Sequence, residues 1–260
     1  MPMFHKSKQD QVKWQGLFPT FLRLPLIYSL MLLMAFTLYM PSLEGLFRTI
    51  FPHLNRVIYQ QTSFLNLLLS HVTLVLSSAI ISSLIGVILG IIVTRKIAIK
   101  FKAIVETVAA IGQTFPPVAV LAIAAPLTGF GTTPAIIALV VYGLLPIIQS
   151  TITGLSQVPV GVTDSAKGIG MTGGQYFIYV ELPLALPVIL SGIRTSTIIN
   201  VGTTAIASSV GVSTLGSPIF IGLSGFNNAY VLQGAIIVGL LAITIDQAFE
   251  MLQRKVIAQR

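Results

Sequence analysis

Long apolar runs, separated by short polar or charged segments, follow one another along the chain from residue 24 onward. A helix needs roughly 20 apolar residues to cross about 30 Å of hydrocarbon. Runs of about this length predict six transmembrane helices, at residues 24–40, 71–94, 103–126, 132–155, 184–208 and 230–249. Because the runs are spread over the whole length, the pattern predicts an all-α, polytopic membrane helical bundle.

Composition excludes a water-soluble fold. Of the 260 residues, 54% are hydrophobic and 8% are charged, whereas a soluble domain carries about 25% charged residues. The chain has no cysteine, which excludes disulfides and thiolate metal sites. The formal charge of +8 reflects basic loops on one membrane face rather than nucleic-acid binding.

The basic residues are shared unequally between the two sides of the predicted bundle. Lys and Arg near the ends of spans stay in the cytoplasm. With the N-terminus inside, the outer side receives Arg48 and Arg56 alone. The inner side receives Lys6, Lys8, Lys13, Arg23, Arg95, Lys96, Lys100, Lys102, Lys167, Arg254, Lys255 and Arg260. We therefore expect both termini and residues 156–183 to be cytoplasmic.

The spans divide the chain into five parts. These are a cytoplasmic N-terminal segment (1–23), an additional first transmembrane helix (24–40), an outer-face connection (41–70), the main transmembrane domain (71–255) and a cytoplasmic tail (256–260). The first helix is expected to be a retained anchor, because its basic flank is too long for a signal peptide. Residues 57–69 fit either an amphipathic helix at the interface or an extension of the second span.

A polar segment at residues 164–183 interrupts the apolar pattern on the inner side. Small residues there allow another protein to approach closely, and Asp164 favours a helix start through its charge and its capping oxygen. Pro183 predicts a boundary where the fifth span begins. We expect a short cytoplasmic helix at about 160–174, although an ordinary loop with a short helix has the same composition. The residues of this segment are Asp164, Ser165, Ala166, Lys167, Gly168, Gly170, Leu182 and Pro183.

The spacing of these residues resembles the EAA motif of ATP-binding-cassette (ABC) importer permeases, in which a short coupling helix docks on a separate ATPase subunit. From about residue 71 to 255, further segments look like permeases of osmoprotectant importers, which carry glycine betaine, carnitine and choline. These segments are 113–117, 129–139, 142–147, 181–195 and 199–203. The resemblance implies a type I ABC importer permease fold and a bacterial cell membrane.

The resemblance also implies partners. These are two ABC ATPase subunits that hold ATP and Mg²⁺, a second permease subunit that is identical or paralogous, an extracytoplasmic substrate-binding protein, and membrane lipid. No cofactor is expected on this chain, which has no phosphate-cradling Gly-x-x-x-x-Gly-Lys-Ser/Thr motif. The motif opens Asp-Ser rather than Glu-Ala, and Gly173 and Gly174 replace basic and aromatic residues, so the coupling helix is expected to end there.

Aromatic residues within the spans are candidates for the substrate pathway. Quaternary ammonium groups favour aromatic faces, which indicates Phe115 and Tyr142. Gln113, Asn200 and Thr203 are the polar neighbours expected to line the same pathway. Packing between helices is the alternative role for each of them.

Charged residues within the spans have a structural and a functional interpretation. Arg194 needs a carboxylate, carbonyl or water inside the fifth span, and we predict a structural anchor. Asp246, Glu250 and Arg254 lie four residues apart, which favours local ion pairs, and a proton relay through Asp246 is the alternative. His5, His53 and His71 are too scattered for a metal site and are expected to be terminal or interfacial.

Three other functions remain open from the sequence. The chain fits an ABC permease for a different small, amino-acid-like solute. An ion-gradient-driven transporter would use Asp246 and Glu106, which have simpler interfacial roles. A membrane scaffold or sensor with the permease shape would move no solute.

Overall fold

The computed structural model describes residues 8–258, with side chains from Leu24 onward. Eleven α-helices, and no β-strand, are present in this part of the chain. They are α1 (Lys8–Tyr39), α2 (Glu44–Ile50), α3 (Phe64–Thr94), α4 (Lys102–Thr114), α5 (Pro117–Thr128), α6 (Thr132–Ser156), α7 (Val160–Gly168), α8 (Gly173–Tyr176), α9 (Leu182–Thr204), α10 (Gly216–Ser224) and α11 (Asn228–Ala258). The predicted all-α bundle is confirmed.

The third predicted span is broken. Among the described residues, five stretches are long and apolar enough to cross a membrane, at 24–50, 64–94, 132–156, 173–210 and 228–258. A sixth crossing requires both 99–114 and 117–128, which meet at 94°. One straight helix over 103–126 was therefore a wrong prediction. Phe115 and Pro116 are extended (ψ 132° and 135°), because a residue that precedes proline is pushed out of the helical region.

The outer-face connection also differs from the prediction. A 3-10 turn at Met40–Leu43 carries α1 into α2, so the first span continues to Ile50 rather than stopping at residue 40. Ser63 then caps α3, since its hydroxyl accepts a hydrogen bond from the amide of Asn66 at 3.3 Å. An interfacial helix over 57–69 was wrong: residues 57–63 are not helical, and 64–69 belong to the second span.

Small residues let α3, α6 and α9 cross at close range. A Cβ added to Gly90 of α3 would lie 2.6 Å from Cβ of Thr151 on α6, and one added to Gly192 of α9 would lie 2.5 Å from Cβ of Ser150. Small residues are the usual means by which membrane helices approach one another. These crossings form the centre of the bundle and fix α9, which follows the predicted coupling segment.

The additional first helix packs against α11. Leu33 and Met40 of the first span share a buried cluster with Ile237 and Leu241 of α11, and Ser29 donates a hydrogen bond to Gln247 at 2.7 Å. At the outer end, the buried Gln233 side chain donates to the carbonyl of Val57 at 2.5 Å and accepts from the amide of Tyr59 at 3.1 Å. The strap at residues 56–59 is therefore fixed to α11.

Candidate functional site

A short helix, α7, lies in the segment predicted to be the coupling helix, but Asp164 does not start it. Pro159 has an extended backbone (φ −62°, ψ 138°) and precedes the first helical residue, Val160. Asp164 is thus the fifth residue of α7, where it lies 3.9 Å from the ammonium of Lys167 with both side chains exposed. The proline sets the helix start because its fixed φ suits the position just before the first turn.

Gly170 ends this helix earlier than predicted. Its φ is +81°, a left-handed conformation that glycine adopts without a Cβ penalty. The amide of Gly170 donates to the carbonyl of Lys167 at 2.9 Å, and the amide of Met171 donates to that of Ala166 at 3.1 Å. These two bonds form a Schellman motif, the common C-terminal cap. The helix therefore ends at Gly168 and not at residue 174.

Gly173 and Gly174 begin a second helix instead of ending the first. Thr172 and Gln175 form a capping box, in which the Thr172 hydroxyl accepts from the Gln175 amide at 3.3 Å and Gln175 Oε1 accepts from the Thr172 amide at 2.9 Å. The hydroxyls of Thr163 and Tyr176 then lie 2.8 Å apart. This contact joins α7 to α8, so the two short helices form one unit, which we call the coupling hairpin (residues 159–176).

Leu182 and Pro183 do not interrupt the chain's helical path. A π-helical turn at Phe177–Glu181 leads from α8 into α9, where Leu182 and Pro183 are the first two residues. Proline is tolerated in a first helical turn, where a missing N–H matters least. The boundary predicted at Pro183 is a change of helix type, and the apolar stretch runs unbroken over 173–210.

One face of α7 is open. Within the described residues, a Cβ added to Gly161 or Gly168 would meet nothing within 4 Å. Ser165 lies between them on the same face and is exposed, and its hydroxyl donates to the carbonyl of Gly161 at 2.7 Å, which satisfies its donor within the helix. Val160 and Ile169 at the two ends are 74% and 76% exposed. A small-residue surface flanked by exposed apolar side chains suits docking of another protein.

The sequence analysis missed an ion pair beside the coupling hairpin. Arg95, just after α3, donates from Nη1 to Glu181 Oε2 at 2.8 Å and from Nη2 to Glu181 Oε1 at 3.0 Å. Its guanidinium also lies 5.0 Å from the centre of the Phe177 ring. Glu181 is 8% exposed. An acid next to Leu-Pro at a span end was the available signal, since such an acid needs a cationic partner.

The predicted pathway residues fall into two groups. Gln113 of α4 donates to the carbonyl of Tyr142 on α6 at 3.0 Å, next to the bend where Phe115 is 47% exposed. Asn200 is fully buried and donates to Ser78 at 3.2 Å, so in this conformation it lies inside the helix crossing. Thr203 is half-buried and donates to the carbonyl of Ile199 in its own helix. The structure thus joins Gln113 to Tyr142 and places Asn200 apart from the exposed surface.

Defined partners are present for Arg194, Glu250 and His71. Arg194 pairs with Asp246 of α11 at 2.6 Å, as expected of an anchor. Glu250 pairs with Arg254 at 2.6 Å, whereas Asp246 does not join this local series. His71 was expected at an end or interface, but it is fully buried and donates from Nε2 to the carbonyl of Val201 at 2.9 Å. That prediction was wrong, because the second span begins seven residues earlier, at Phe64.

A polar cavity of about 430 Å³ lies beside the strap, at the end of the bundle that the basic residues predict to be outside. It is lined by Glu44, Arg48, Asn55, Arg56, Val57, Ile58, Gln60, Gln61 and Tyr230. Arg48 pairs with Glu44 at 2.7 Å, whereas the Arg56 guanidinium has no ion-pair partner in the described part of the chain. Burial raises the pKa of Tyr59, whose ring packs edge-on against that of Tyr230 at 5.7 Å. This end of the bundle therefore carries a polar surface with two guanidinium groups, one of them without an ion-pair partner among the described residues.

A bundle of about six membrane crossings with an open small-residue hairpin at one end defines a multi-pass membrane transport subunit. The chain belongs to the family described as binding-protein-dependent transport system inner membrane component, whose model matches residues 86–258. The additional first helix and the strap lie outside that match.

Characterised relatives cover a similar part of the chain. The glycine betaine/carnitine/choline transport system permease protein OpuCB of Bacillus subtilis is 44% identical over 180 residues, which are 67% of this chain and 83% of that protein. The choline transport system permease protein OpuBB of the same organism is 43% identical over 71% of this chain and 84% of that protein. The osmoprotectant import permease protein OsmY of Salmonella typhimurium is 42% identical over 72% and 79%.

Solved structures share the fold. The MetNI methionine ABC transporter, in an inward-facing form, has a chain that matches with a TM-score of 0.67 at 24% identity, over 76% of this chain and 99% of that one. An amino acid ABC transporter crystallised with histidines matches with a TM-score of 0.62 at 18% identity, over 74% and 92%. The predicted type I ABC importer permease fold is therefore confirmed.

Proposed function

We propose that this chain is the transmembrane permease subunit of an ATP-driven importer for glycine betaine, carnitine, choline or a related osmoprotectant. The observation that carries the proposal is the open face of α7, in a chain whose transmembrane domain is 42–44% identical to permeases of that class. The chain forms the translocation pathway, and ATP hydrolysis with Mg²⁺ takes place on two separate ABC ATPase subunits.

The coupling hairpin is the proposed docking element for the ATPase. The face of α7 that carries Gly161, Ser165 and Gly168 has only small side chains, which allows the ATPase to approach closely. Gly170 fixes the direction in which the chain leaves this helix. ATP binding closes the ATPase pair, draws the two hairpins of a permease pair together and favours the outward-open bundle. Hydrolysis then restores the inward-open bundle. The second permease subunit is either identical or a paralogue.

Phe115 is the proposed contact for a quaternary ammonium group within the pathway. It lies at the bend between α4 and α5 and is 47% exposed. The Gln113 amide holds this bend to the backbone of Tyr142. A cationic methyl group is attracted to an aromatic face with about 0.5 to 2 kcal/mol, depending on desolvation. This interaction permits passage without tight binding, and selection belongs to the external binding protein.

The polar cavity and the adjacent turn between α10 and α11 (residues 225–227) are the proposed meeting place with that binding protein. Asn227 of the turn donates to the carbonyl of Arg56 at 2.7 Å, which joins the turn to the strap. The unpaired Arg56 and the half-exposed Arg48 favour an acidic surface on the partner. If Arg48 and Arg56 face outward, both termini and the coupling hairpin lie in the cytoplasm of a bacterial cell. The other basic residues near the ends of the spans then lie on the cytoplasmic side.

Reconstitution tests this function. Proteoliposomes that contain the permease, its ATPase and its binding protein are supplied with labelled glycine betaine, with and without internal ATP. We expect ATP-dependent accumulation that excess choline or carnitine reduces. Accumulation driven by an ion gradient without ATP would replace the proposal with a secondary transporter. ATP hydrolysis that the binding protein stimulates without betaine uptake would indicate a different solute, which a panel of labelled amino acids would then identify.

A further inference from the structure

The ion pair of Arg95 and Glu181 lies between the coupling hairpin and the bundle. Thr163 of α7 contacts Tyr176 of α8 at 2.8 Å, and Phe177 and Glu181 follow in the π-helical turn. Arg95 then contacts both of these residues from the end of α3. A continuous series of polar and aromatic contacts therefore leads from the proposed docking helix to α3.

The geometry of this pair suits the transfer of movement. Nη1 and Nη2 of Arg95 each donate to a different oxygen of the Glu181 carboxylate, and such a two-point contact fixes the angle between the groups as well as their distance. The Arg95 Nε also donates to the carbonyl of Ile91 at 3.2 Å, which ties the guanidinium to α3. Because Glu181 is 8% exposed, water does not readily replace Arg95 when the two segments are pulled apart.

The other acid–base pairs in the described residues differ in kind. Glu44–Arg48 and Glu250–Arg254 each lie four residues apart on one helix and are about half exposed. Asp164–Lys167 lies within α7 itself, three residues apart and more exposed. Such pairs contribute little to stability and connect nothing beyond their own helix. Arg194–Asp246 joins two helices, but it has no contact with the coupling hairpin. Arg95–Glu181 is thus the ion pair placed to connect that hairpin to the bundle.

We propose that Arg95 and Glu181 are positioning residues that make α3 follow the coupling hairpin when the ATPase moves it. The inference rests on the proposed permease function and adds a specific route by which the movement enters the bundle. Breaking the pair leaves the docking face of α7 unchanged. The ATPase then still binds and hydrolyses ATP, but less of its movement reaches α3.

Coupled transport measurements test this role. For Glu181→Gln we expect normal co-purification with the ATPase, and uptake per ATP hydrolysed about tenfold below wild type, within the usual range of coupling between sites. Arg95→Lys keeps the charge but loses the two-point contact, so we expect an intermediate ratio. The double variant Arg95→Glu/Glu181→Arg should recover most of the ratio. Glu250→Gln, which breaks a pair within one helix, is the matched control and should behave as wild type.

A wild-type ratio in Glu181→Gln would overturn the proposal. Loss of assembly in every Arg95 and Glu181 variant, including the double variant, would overturn it in favour of a purely structural pair. Absence of uptake by the wild type is a different result, because it refutes the proposed solute and leaves the pair to be judged by the following measurement.

Distances between spin labels report the link without any solute. The chain has no cysteine, so Ile97→Cys and Ile169→Cys, at positions 95% and 76% exposed, introduce two label sites on this chain. Assembly with an ATPase stripped of cysteine and with an excess of unlabelled permease keeps the measured distance within one subunit. These sites follow α3 and α7. With the ATPase bound, we expect one unchanged distance between the nucleotide-free and ATP-bound states. Adding Glu181→Gln should make that distance depend on nucleotide. A distance that already changes with nucleotide in the otherwise wild-type chain would overturn the proposal.

Discussion

Arg194 of α9 and Asp246 of α11 form an ion pair of 2.6 Å between two membrane-spanning helices. Arg194 also donates to Gln253 at 3.3 Å, so the guanidinium contacts α11 at two points about two turns apart. Each charge offsets the free-energy cost of placing the other within the membrane-spanning segment. The pair accordingly ties the helix that follows the coupling hairpin to the last helix of the bundle.

Removing one member of this pair should destabilise the subunit more than removing both. Arg194→Leu leaves Asp246 uncompensated, and an isolated acid in a span costs about 3 kcal/mol. The double variant Arg194→Leu/Asp246→Leu removes that charge and should regain most of the loss. The unfolding temperatures of the single and the double variant are measured in detergent, with the monodisperse fraction as the signal. Equal unfolding temperatures for the single and double variants would contradict this account, and Arg254→Leu is the exposed control.

Gly170 should be sensitive to side-chain shape and to bulk. A non-glycine residue at its φ of +81° costs roughly 1 to 2 kcal/mol, less for asparagine. We expect ATP-driven uptake to decrease in the order Gly170→Asn, Gly170→Ala, Gly170→Arg, with the arginine variant still inserted in the membrane but uncoupled. Uptake and membrane content are measured in the same vesicles. Unchanged transport by Gly170→Arg would argue strongly against docking at this hairpin.

The crossing around Gly143 should tolerate no added methyl group. A Cβ there would lie 2.6 Å from the Ser196 hydroxyl oxygen and 3.0 Å from that of Ser82. Gly143→Ala is therefore expected to lower stability by about 1 to 3 kcal/mol through overpacking. Gly143→Ala/Ser196→Gly should recover part of it. Gly239→Ala, where a Cβ meets nothing within 4 Å among the described residues, is the control in the same unfolding assay.

Reversing the charge of Arg56 should weaken the interaction between the permease and the binding protein. The Arg56 guanidinium lines the polar cavity without an ion-pair partner in the described part of the chain. For Arg56→Glu we expect a higher binding-protein concentration at half-maximal uptake, an effect that shrinks as salt screens the charges. Arg56→Lys should stay near wild type. A salt-independent defect would indicate distortion of the strap instead of lost attraction.

Features that depend on local composition were predictable from this chain. Apolar length predicted five of the spans, and most of their ends lie within a few residues of the predicted positions. The small residues around Ser165 predicted a short helix there, which the structure shows as α7. The two adjacent prolines after Phe115 were a sequence signal for the 94° bend. The apolar residues on both sides nevertheless favoured the prediction of one continuous span. Asp164 was assigned to a helix start because acids favour such positions, whereas Pro159 determined the start.

Features that depend on distant contacts were not predictable in this way. Arg95 and Glu181 are 86 positions apart, and no period in the sequence relates them. Burial of His71 follows from its contact with the carbonyl of Val201 on another helix. Asn200 has the polarity expected of a pathway residue, but only its distance to Ser78 shows that it faces a helix crossing. Polarity indicates that a residue needs a partner and does not indicate which one.

The amide of Gln233 holds the strap at residues 56–59 by one donor and one acceptor, as a neighbouring β-strand would. With Ser29 bound to Gln247 lower on the same helix, α11 holds α1 at Ser29 and also holds the strap that follows α2. The additional first helix therefore moves together with α11 and not independently of it. When α11 tilts during a transport cycle, α1 moves through the surrounding lipid with it. The viscosity of the bilayer therefore resists the motion of a wider group of helices than in a permease without this helix.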